Sequence, residues 1–198
     1  MFVRFGDVGN AWNVLGRMGE RDLFSWNVLV GGYAKTGFID EALCLYYRML
    51  LAGIRPDVNS FPCLLRSCGG AMDLVRGGEV HAHVVRFGFE MDVDVVNALI
   101  TMYMKCADIL LGDERLGRQL HGYVVRTAYG GDVSVYNSLI QMYLSAGHWK
   151  EAETVFSRME CRDIVAWTTM ISGYVDNLLP DKALKTYKTM EIEGTMPD

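Results

Sequence analysis

The chain has 198 residues, of which 51% are hydrophobic and 22% are charged, so it holds enough apolar side chains for a continuous core. Its formal net charge of −5 argues against a uniformly basic nucleic-acid binder, because counterion release requires clustered Lys and Arg. One basic face on an otherwise acidic molecule remains compatible with that charge. No apolar run approaches a membrane span, so we expect no membrane association, and no secretory or transit-like segment opens the chain.

The sequence repeats itself with a period near 35 residues. Residues 23–57 return as residues 164–198, and Trp, Tyr, Pro and the closing Asp occupy the same places in both copies. No strand-like alternation accompanies the repeat. A period of this length predicts stacked helical hairpins, that is, an all-α fold built as a solenoid of helix–turn–helix units.

The first complete repeat shows how each hairpin is encoded. Apolar residues at helical spacing predict a first helix, and Gly37 is suited to end it in the left-handed conformation. A second helix is predicted to begin at Asp40 and to end before Gly53 and Pro56. Its predicted inner face consists of Ala42, Leu45, Tyr46 and Met49.

The repeats differ in length. Residues 77–103 return forty positions later as residues 117–143, and residues 133–163 form a unit of 31 residues whose tail matches the start of the chain. We therefore predict a partial short repeat (1–22), a standard repeat (23–57), a long repeat (58–92), a hybrid short/long repeat (93–132), a short repeat (133–163) and a second standard repeat (164–198).

The hybrid repeat departs from the pattern. Its first half matches a short unit and its second half a long one, with five extra residues between Tyr103 and Asp113. We interpret it as the product of an internal loss of about two repeats from a longer parent. An ordinary loop insertion is the alternative, and in either case we expect a longer loop around residues 107–112.

Three motifs mark the three repeat lengths. The standard unit ends in Gly53-Ile54-Arg55-Pro56-Asp57, the long unit carries Gly77, His81 and Gly88, and the short unit ends in Met-x-x-Arg-Asp at residues 18–22 and 159–163. With these motifs, the chain resembles over its whole length the pentatricopeptide repeat proteins of plant organelles, in the class that alternates standard, long and short repeats. The resemblance implies a right-handed α-solenoid.

The resemblance also implies that each repeat binds one base of a single-stranded RNA. In that family a reading pair, formed by the fifth residue of the repeat's first helix and the last residue of the repeat, contacts the base. Carried onto this chain, the reading pairs are Asn27 with Asp57, Pro62 with Asp92, Asn97 with Asp132, Asn137 with Asp163, and Thr168 with Asp198.

The family code associates Asn/Asp with U and Thr/Asp with G, which implies the order U, a weak pyrimidine position, U, U, G. An Asn amide offers a donor and an acceptor to a pyrimidine edge, whereas Pro62 can only pack or leave a gap. The alternative for these Asn and Asp residues is a purely structural one, since both are common helix N-caps.

Further contacts follow from the same resemblance. Base stacking is expected from Phe24 and Val165 at the second position of their repeats, where Asn59, Asp94 and Ser134 are polar instead. Phosphate contacts are expected from Arg4, Lys35 and Lys105. The equivalent residues Ser145 and Asp176 are not basic, so the cationic track is interrupted.

Nothing in the sequence has a catalytic pattern, and we expect neither an enzyme nor a cofactor. The H-x-E and C-x-x-C signature of zinc deaminases is missing, and no C-x-x-C pair suggests a metal site. His81 and His121 occupy equivalent positions and are expected to be structural. The five cysteines are expected to be mostly buried thiols in a reducing compartment, and Gly69-Gly70 to lie in a turn.

The leading hypothesis is a sequence-specific binding module for single-stranded organellar RNA, acting in RNA processing of the C-to-U editing type without a deaminase domain in this chain. We expect a monomer in the chloroplast, or alternatively the mitochondrion, with editing-complex proteins as further partners. Two other hypotheses are a protein-interaction scaffold of the tetratricopeptide type and a shortened product with little function.

Overall fold

A computed structural model of the protein describes residues 22–107 and 132–194. Every regular element in those ranges is a helix, which confirms the predicted all-α class. The helices are α1 (Leu23–Lys35), α2 (Ile39–Leu51), α3 (Ser60–Gly70), α4 (Leu74–Phe87), α5 (Val93–Ala107), α6 (Val133–Ser145), α7 (Trp149–Ser157), α8 (Ile164–Asp176) and α9 (Pro180–Ile192). The partial repeat at 1–22, apart from Asp22, and most of the second half of the hybrid repeat lie outside the described residues.

Local sequence explains both ends of the first hairpin. The Asp22 carboxylate caps α1 by accepting a hydrogen bond from the Ser25 amide at 2.9 Å. Gly37, with φ +86°, lies just past the end of α1 as predicted. Helix α2 begins at Ile39, one residue before the predicted start, and its predicted inner face is buried.

The chain divides into an N-terminal unit, residues 1–109, and a C-terminal unit, residues 110–198. In the N-terminal unit the first helices of successive hairpins, α1, α3 and α5, pack side by side in one layer, and α2 and α4 pack against them as second helices. In the C-terminal unit α6 and α8 are the adjacent first helices, paired with α7 and α9 respectively.

Large apolar side chains fill the space between the two layers of the N-terminal unit. Trp26, Tyr33, Phe61 and Leu64 are all at most 1% exposed. Full burial of such a side chain contributes about 1.5–3 kcal/mol, so this layer contact is the main source of stability.

Two histidines of α4 connect that helix to α2 and to α5. His83 Nδ1 lies 3.0 Å from the Tyr46 hydroxyl of α2, and His81 Nδ1 lies 2.8 Å from the Tyr103 hydroxyl of α5. Residues two apart on a helix point to different sides, which is why the pair contacts two different helices. Burial lowers the pKa of both imidazoles. The expected structural role of His81 agrees with this geometry.

The prediction that Gly69-Gly70 lies in a turn is wrong. Both glycines are the last residues of α3, and a methyl group on Gly69 would lie 2.9 Å from the Cα of Met102 in α5. Gly173 of α8 likewise meets Leu144 of α6, whose Cγ would be 2.7 Å from a methyl group there. Glycine at these points lets neighbouring first helices approach closely.

The C-terminal unit has its own aromatic core. Trp167 is 2% exposed and packs edge-on against Phe156 of α7 at 4.8 Å between ring centroids. The Arg162 guanidinium lies 4.9 Å from the centroid of Phe156, and the Tyr174 hydroxyl donates a hydrogen bond to Glu153 at 2.7 Å. These contacts hold the α6–α7 hairpin against α8.

The expectation of buried thiols holds only in part. Cys68 and Cys106 are buried, but Cys44 and Cys161 are exposed, and all five cysteines are free. Within residues 22–107 and 132–194, no helix is long and apolar enough for a bilayer, and no cluster of three or more potential metal ligands occurs.

Candidate nucleic-acid interface

The reading pair of the first standard repeat is in direct contact. Asn27 lies on α1 and Asp57 closes the repeat thirty residues later, and the Asn27 amide Nδ2 donates to Asp57 Oδ1 at 2.8 Å. The Ser60 hydroxyl donates to Asn27 Oδ1 at 2.7 Å, which fixes the other end of the amide. Partial burial raises the pKa of Asp57, but hydrogen bonds from Asn59, Asn27 and Ser60 outweigh it and leave the pKa below its ordinary value.

The reading pair of the short repeat has the same arrangement in the C-terminal unit. Asn137 Nδ2 donates to Asp163 at 3.2 Å from Oδ1 and 3.3 Å from Oδ2. Here the Oδ1 of Asn137 is buried and has no hydrogen-bond partner among the described residues. The position that Ser60 holds after the first pair is occupied by Ala166, which has no hydroxyl to donate. Asn137 therefore keeps a spare acceptor as well as a spare amide hydrogen.

Closing aspartates also cap the helices that follow them, so they have the structural role of an N-cap in addition to the pairing with Asn. Asp163 accepts a hydrogen bond from the Ala166 amide at 2.8 Å and caps α8 while it holds Asn137. Asp92 accepts from the Val95 amide at 3.1 Å at the start of α5. The Asp163 carboxylate thus positions α8 and also orients the Asn137 side chain of its own repeat.

The remaining predicted pairs differ from these two. Pro62 is buried in α3 and has no polar side chain to pair with Asp92. Thr168 donates its hydroxyl to the carbonyl of Ile164 at 2.8 Å, and its partner Asp198 lies outside the described residues. Asn97 and Asp132 belong to the two different units.

One exposed stripe of the first helices carries the other predicted contacts. Its residues follow the spacing i, i+4, i+7 and i+11, which keeps to one face of a helix, and in α1 they are Phe24, Val28, Gly31 and Lys35. Phe24 is 74% exposed, and Val165 at the equivalent place in α8 is 50% exposed. We call this set the first-helix stripe.

The cations of the first helices lie on that stripe. Lys35 of α1 and Lys105 of α5 are both exposed, whereas the third predicted phosphate contact, Arg4, lies outside the described residues. The stripe of α3 carries Arg66, an exposed residue that the family motif did not identify. Its i+7 spacing from Asn59 is the sequence signal that points to it. Helices α6 and α8 carry no cation.

An open groove of about 710 Å³ lies along the same face between α6 and α8. Polar residues of both helices line it, including Gln141, Ser145, Thr168 and Ser172, and Asp176 is its charged member. The side-chain amide of Asn177 donates to the carbonyls of Leu144 and Gly173 at one end. The groove presents hydrogen-bonding groups without positive charge.

Helical hairpins that recur along the chain in predicted units of 31 to 40 residues, each ending in an aspartate, define a helical-repeat protein. Residues 21–70 match the PPR repeat family model, and residues 134–164 and 165–195 each match the PPR repeat model, together more than half of the chain. The chain belongs to the pentatricopeptide repeat family.

Several relatives from Arabidopsis thaliana cover nearly the whole chain. Pentatricopeptide repeat-containing protein At1g15510, chloroplastic, is 50% identical over 260 residues, covering 100% of this chain and 30% of its own length. Pentatricopeptide repeat-containing protein At4g25270, chloroplastic, is 31% identical over 200 residues, with 100% and 30% covered. The mitochondrial relative At1g56690 is 32% identical over 179 residues, with 90% and 20% covered. The chain thus spans less than a third of these relatives.

A solved structure of the same family also matches. The crystal structure of the pentatricopeptide repeat protein PPR10 in complex with an 18-nt psaJ RNA element is 18% identical, with a TM-score of 0.43, and the match covers 98% of this chain and 39% of that one.

Proposed function

We propose that the chain binds single-stranded RNA in a sequence-dependent way, one base per repeat, and serves as a recognition module in organellar RNA processing. The observation that carries the proposal is the amide–carboxylate pair of Asn27 with Asp57, which recurs as Asn137 with Asp163 in the other unit. A scaffold built only for stability has no need to hold the same polar pair beside the exposed stripe in both units.

The pair is suited to read a pyrimidine edge. Each carboxylate accepts from its Asn amide and so orients the side chain before any ligand arrives, which reduces the ordering cost of binding. An Asn amide held this way keeps one amide hydrogen and one carbonyl lone pair unused, which together are the complement of a uracil edge. The exposed Phe24 and Val165 of the first-helix stripe provide apolar surfaces for base stacking.

The module is expected to bind weakly by itself. Stacking contributes roughly 1–3 kcal/mol per base in single-strand binders, and four or five imperfect positions, after ordering costs, correspond to micromolar affinity. Four bases recur about every 256 nucleotides, so this segment needs further repeats or partners to select one site.

Within this proposal, the processing reaction is C-to-U editing of a chloroplast transcript, and catalysis is supplied by another domain or protein. The resemblance to the class with alternating repeat lengths supports editing as the reaction, and the relatives' chloroplastic names support the chloroplast as the location. Mitochondrial transcripts are the alternative substrate, since At1g56690 is mitochondrial by name.

A binding assay with matched variants tests the proposal. The protein should retard an RNA containing U-Y-U-U-G in a gel-shift assay. Asp163→Asn should weaken that binding while it preserves the cap of α8, because Asn caps a helix as well as Asp does. Asp73→Asn is the matched control, since Asp73 caps the second helix α4 through the Arg76 amide and takes no part in a reading pair. A well-folded sample that binds no RNA at low salt would refute the function.

We also propose that residues 93–132 are the hybrid repeat left by an internal loss. The aligned stretch with At1g15510 is 62 positions longer than the 198-residue chain, about the length of two repeats. Inserting two repeats of the relative between Tyr103 and Asp113 should raise the melting temperature, because each repeat adds an interface. An unchanged or lower melting temperature would contradict this origin.

A further inference from the structure

The N-terminal unit distributes positive charge evenly over its first helices. Helices α1, α3 and α5 each carry one basic residue, which is Lys35, Arg66 and Lys105 respectively, and all three are exposed. The two lysines occupy the thirteenth position of their repeats, where α3 has Gly70. Arg66 lies one helical turn earlier on the same first-helix stripe. Arg66 therefore gives α3 a cation on the same face, although the thirteenth position of this repeat has none.

Arg66 is free to bind a ligand. Within the described ranges it makes no hydrogen bond and no ion pair, whereas Arg76 pairs with Asp40 and Asp73, and Arg162 pairs with Glu193. An exposed guanidinium without an internal partner keeps all five donors available for phosphate oxygens.

Small residues let α1 and α5 approach closely to α3, the helix that carries Arg66. On one side, a methyl group on Gly31 of α1 would lie 3.6 Å from Cys63 Sγ, so α1 meets α3 through its bare backbone. On the other side, the Lys105 side chain of α5 reaches α3, and its Cδ would lie 3.5 Å from a methyl group on Gly69. The three cations therefore belong to helices in direct contact, at axial separations of about 8–10 Å.

The same repeat lacks a base-reading side chain. Pro62 occupies the reading position, is buried, and lies four residues before Arg66, so the two are neighbours on one helix face. A nucleotide at this repeat meets a residue with no hydrogen-bonding side chain and, one turn away, an unpaired guanidinium.

We propose that Arg66 binds the phosphate of the nucleotide at the Pro62 repeat, so that this repeat holds the RNA by charge and accepts any base, in place of the weak pyrimidine preference that the family resemblance implies. The inference rests on the proposed RNA-binding function and adds a residue and a specificity rule to it. Lys35, Arg66 and Lys105 then form the phosphate-binding track of the N-terminal unit, while α6 and α8 in the C-terminal unit contribute hydrogen bonds without cations.

Salt dependence of binding tests the assignment. Each phosphate contact on a single strand contributes about 0.7 to the slope of log K against log salt. Arg66→Gln should therefore lower that slope by about 0.7, weaken binding about 5-fold at 0.1 M salt, and weaken it less than about 2-fold at 0.5 M. The loss should be equal for RNAs with A, C, G or U at the second position of the motif.

Arg86→Gln is the matched control, because Arg86 is an exposed arginine of the same unit on the second helix α4. It should leave both slope and affinity unchanged. If the parent chain binds RNA and Arg66→Gln keeps the full slope, the inference is overturned while the proposed function stands. A loss confined to one base would show that Arg66 reads the base and would overturn it as well. Failure of the parent chain to bind any RNA would refute the proposed function itself.

Discussion

Replacement of Gly69 by Ala tests the close approach of two neighbouring first helices. Gly69 is buried near the end of α3, and the added methyl carbon would lie 2.9 Å from the Cα of Met102 in α5. Carbon atoms in good contact lie about 3.5–4.0 Å apart, so the helices must separate by roughly 0.6–1 Å. The neighbouring atom is backbone and cannot rotate away.

The expected cost follows from two opposing effects. Overpacking of a well-packed contact costs about 1–3 kcal/mol, whereas Ala in place of Gly favours a helix by up to about 1 kcal/mol. Gly69→Ala should therefore destabilise the protein by about 1–2 kcal/mol. The matched control is Gly78→Ala in α4, where a methyl group would meet nothing within 4 Å and should stabilise by about 0.5–1 kcal/mol.

Urea denaturation followed by far-UV circular dichroism measures both variants against the parent. The midpoint should fall for Gly69→Ala and rise for Gly78→Ala, with the dependence on urea concentration unchanged. A Gly69→Ala protein as stable as the parent, or as stable as Gly78→Ala, would show that α3 and α5 are not in backbone contact at this point.

Three further outcomes are expected. Stability should fall as the pH drops below about 6.5, because burial holds the pKa of His81 and His83 below that ordinary value, so that the unfolded chain binds more protons than the folded one. The capping aspartates Asp22 and Asp132 have a pKa below 3.8 and do not titrate between pH 7.5 and 5.5. Equal urea midpoints at those two pH values would therefore contradict this prediction. Thr168→Asn should shift the preference at the last base from G toward U in a competition assay, and an unchanged preference would mean that Thr168 does not contact the base. Pro62→Asn should create a preference for U at the second position without changing the slope of log K against log salt. A changed slope with no base preference would argue against a reading role for that position.

Local rules account for the parts of the fold that the sequence predicts well. The end of α1 at Gly37 and the capping by Asp22 and Asp163 depend on the conformational freedom of glycine and on amides at helix starts, both properties of a few consecutive residues. Helix α2 begins at Ile39, one residue before the predicted Asp40, and its N-cap Phe38 makes no side-chain capping hydrogen bond, so no cap residue marks this boundary in the sequence.

The candidate site also has a part that the sequence predicts and a part that depends on packing between repeats. The reading pairs Asn27–Asp57 and Asn137–Asp163 were assigned through a family resemblance, and the structure brings both pairs within hydrogen-bond distance. The different surroundings of the two amides, with Ser60 beside Asn27 and Ala166 after Asn137, depend on how the next first helix is placed. No motif within one repeat specifies that placement.

The sequence by itself predicted the helical hairpins and the glycine and aspartate residues at their ends, because these follow from period, caps and turns within one repeat. Only the tertiary structure decided that Gly69 is a contact between helices and that Arg66 is exposed. The physical reason is that the stagger and rotation of neighbouring helices are set by side-chain packing between repeats, which a period along the chain does not encode.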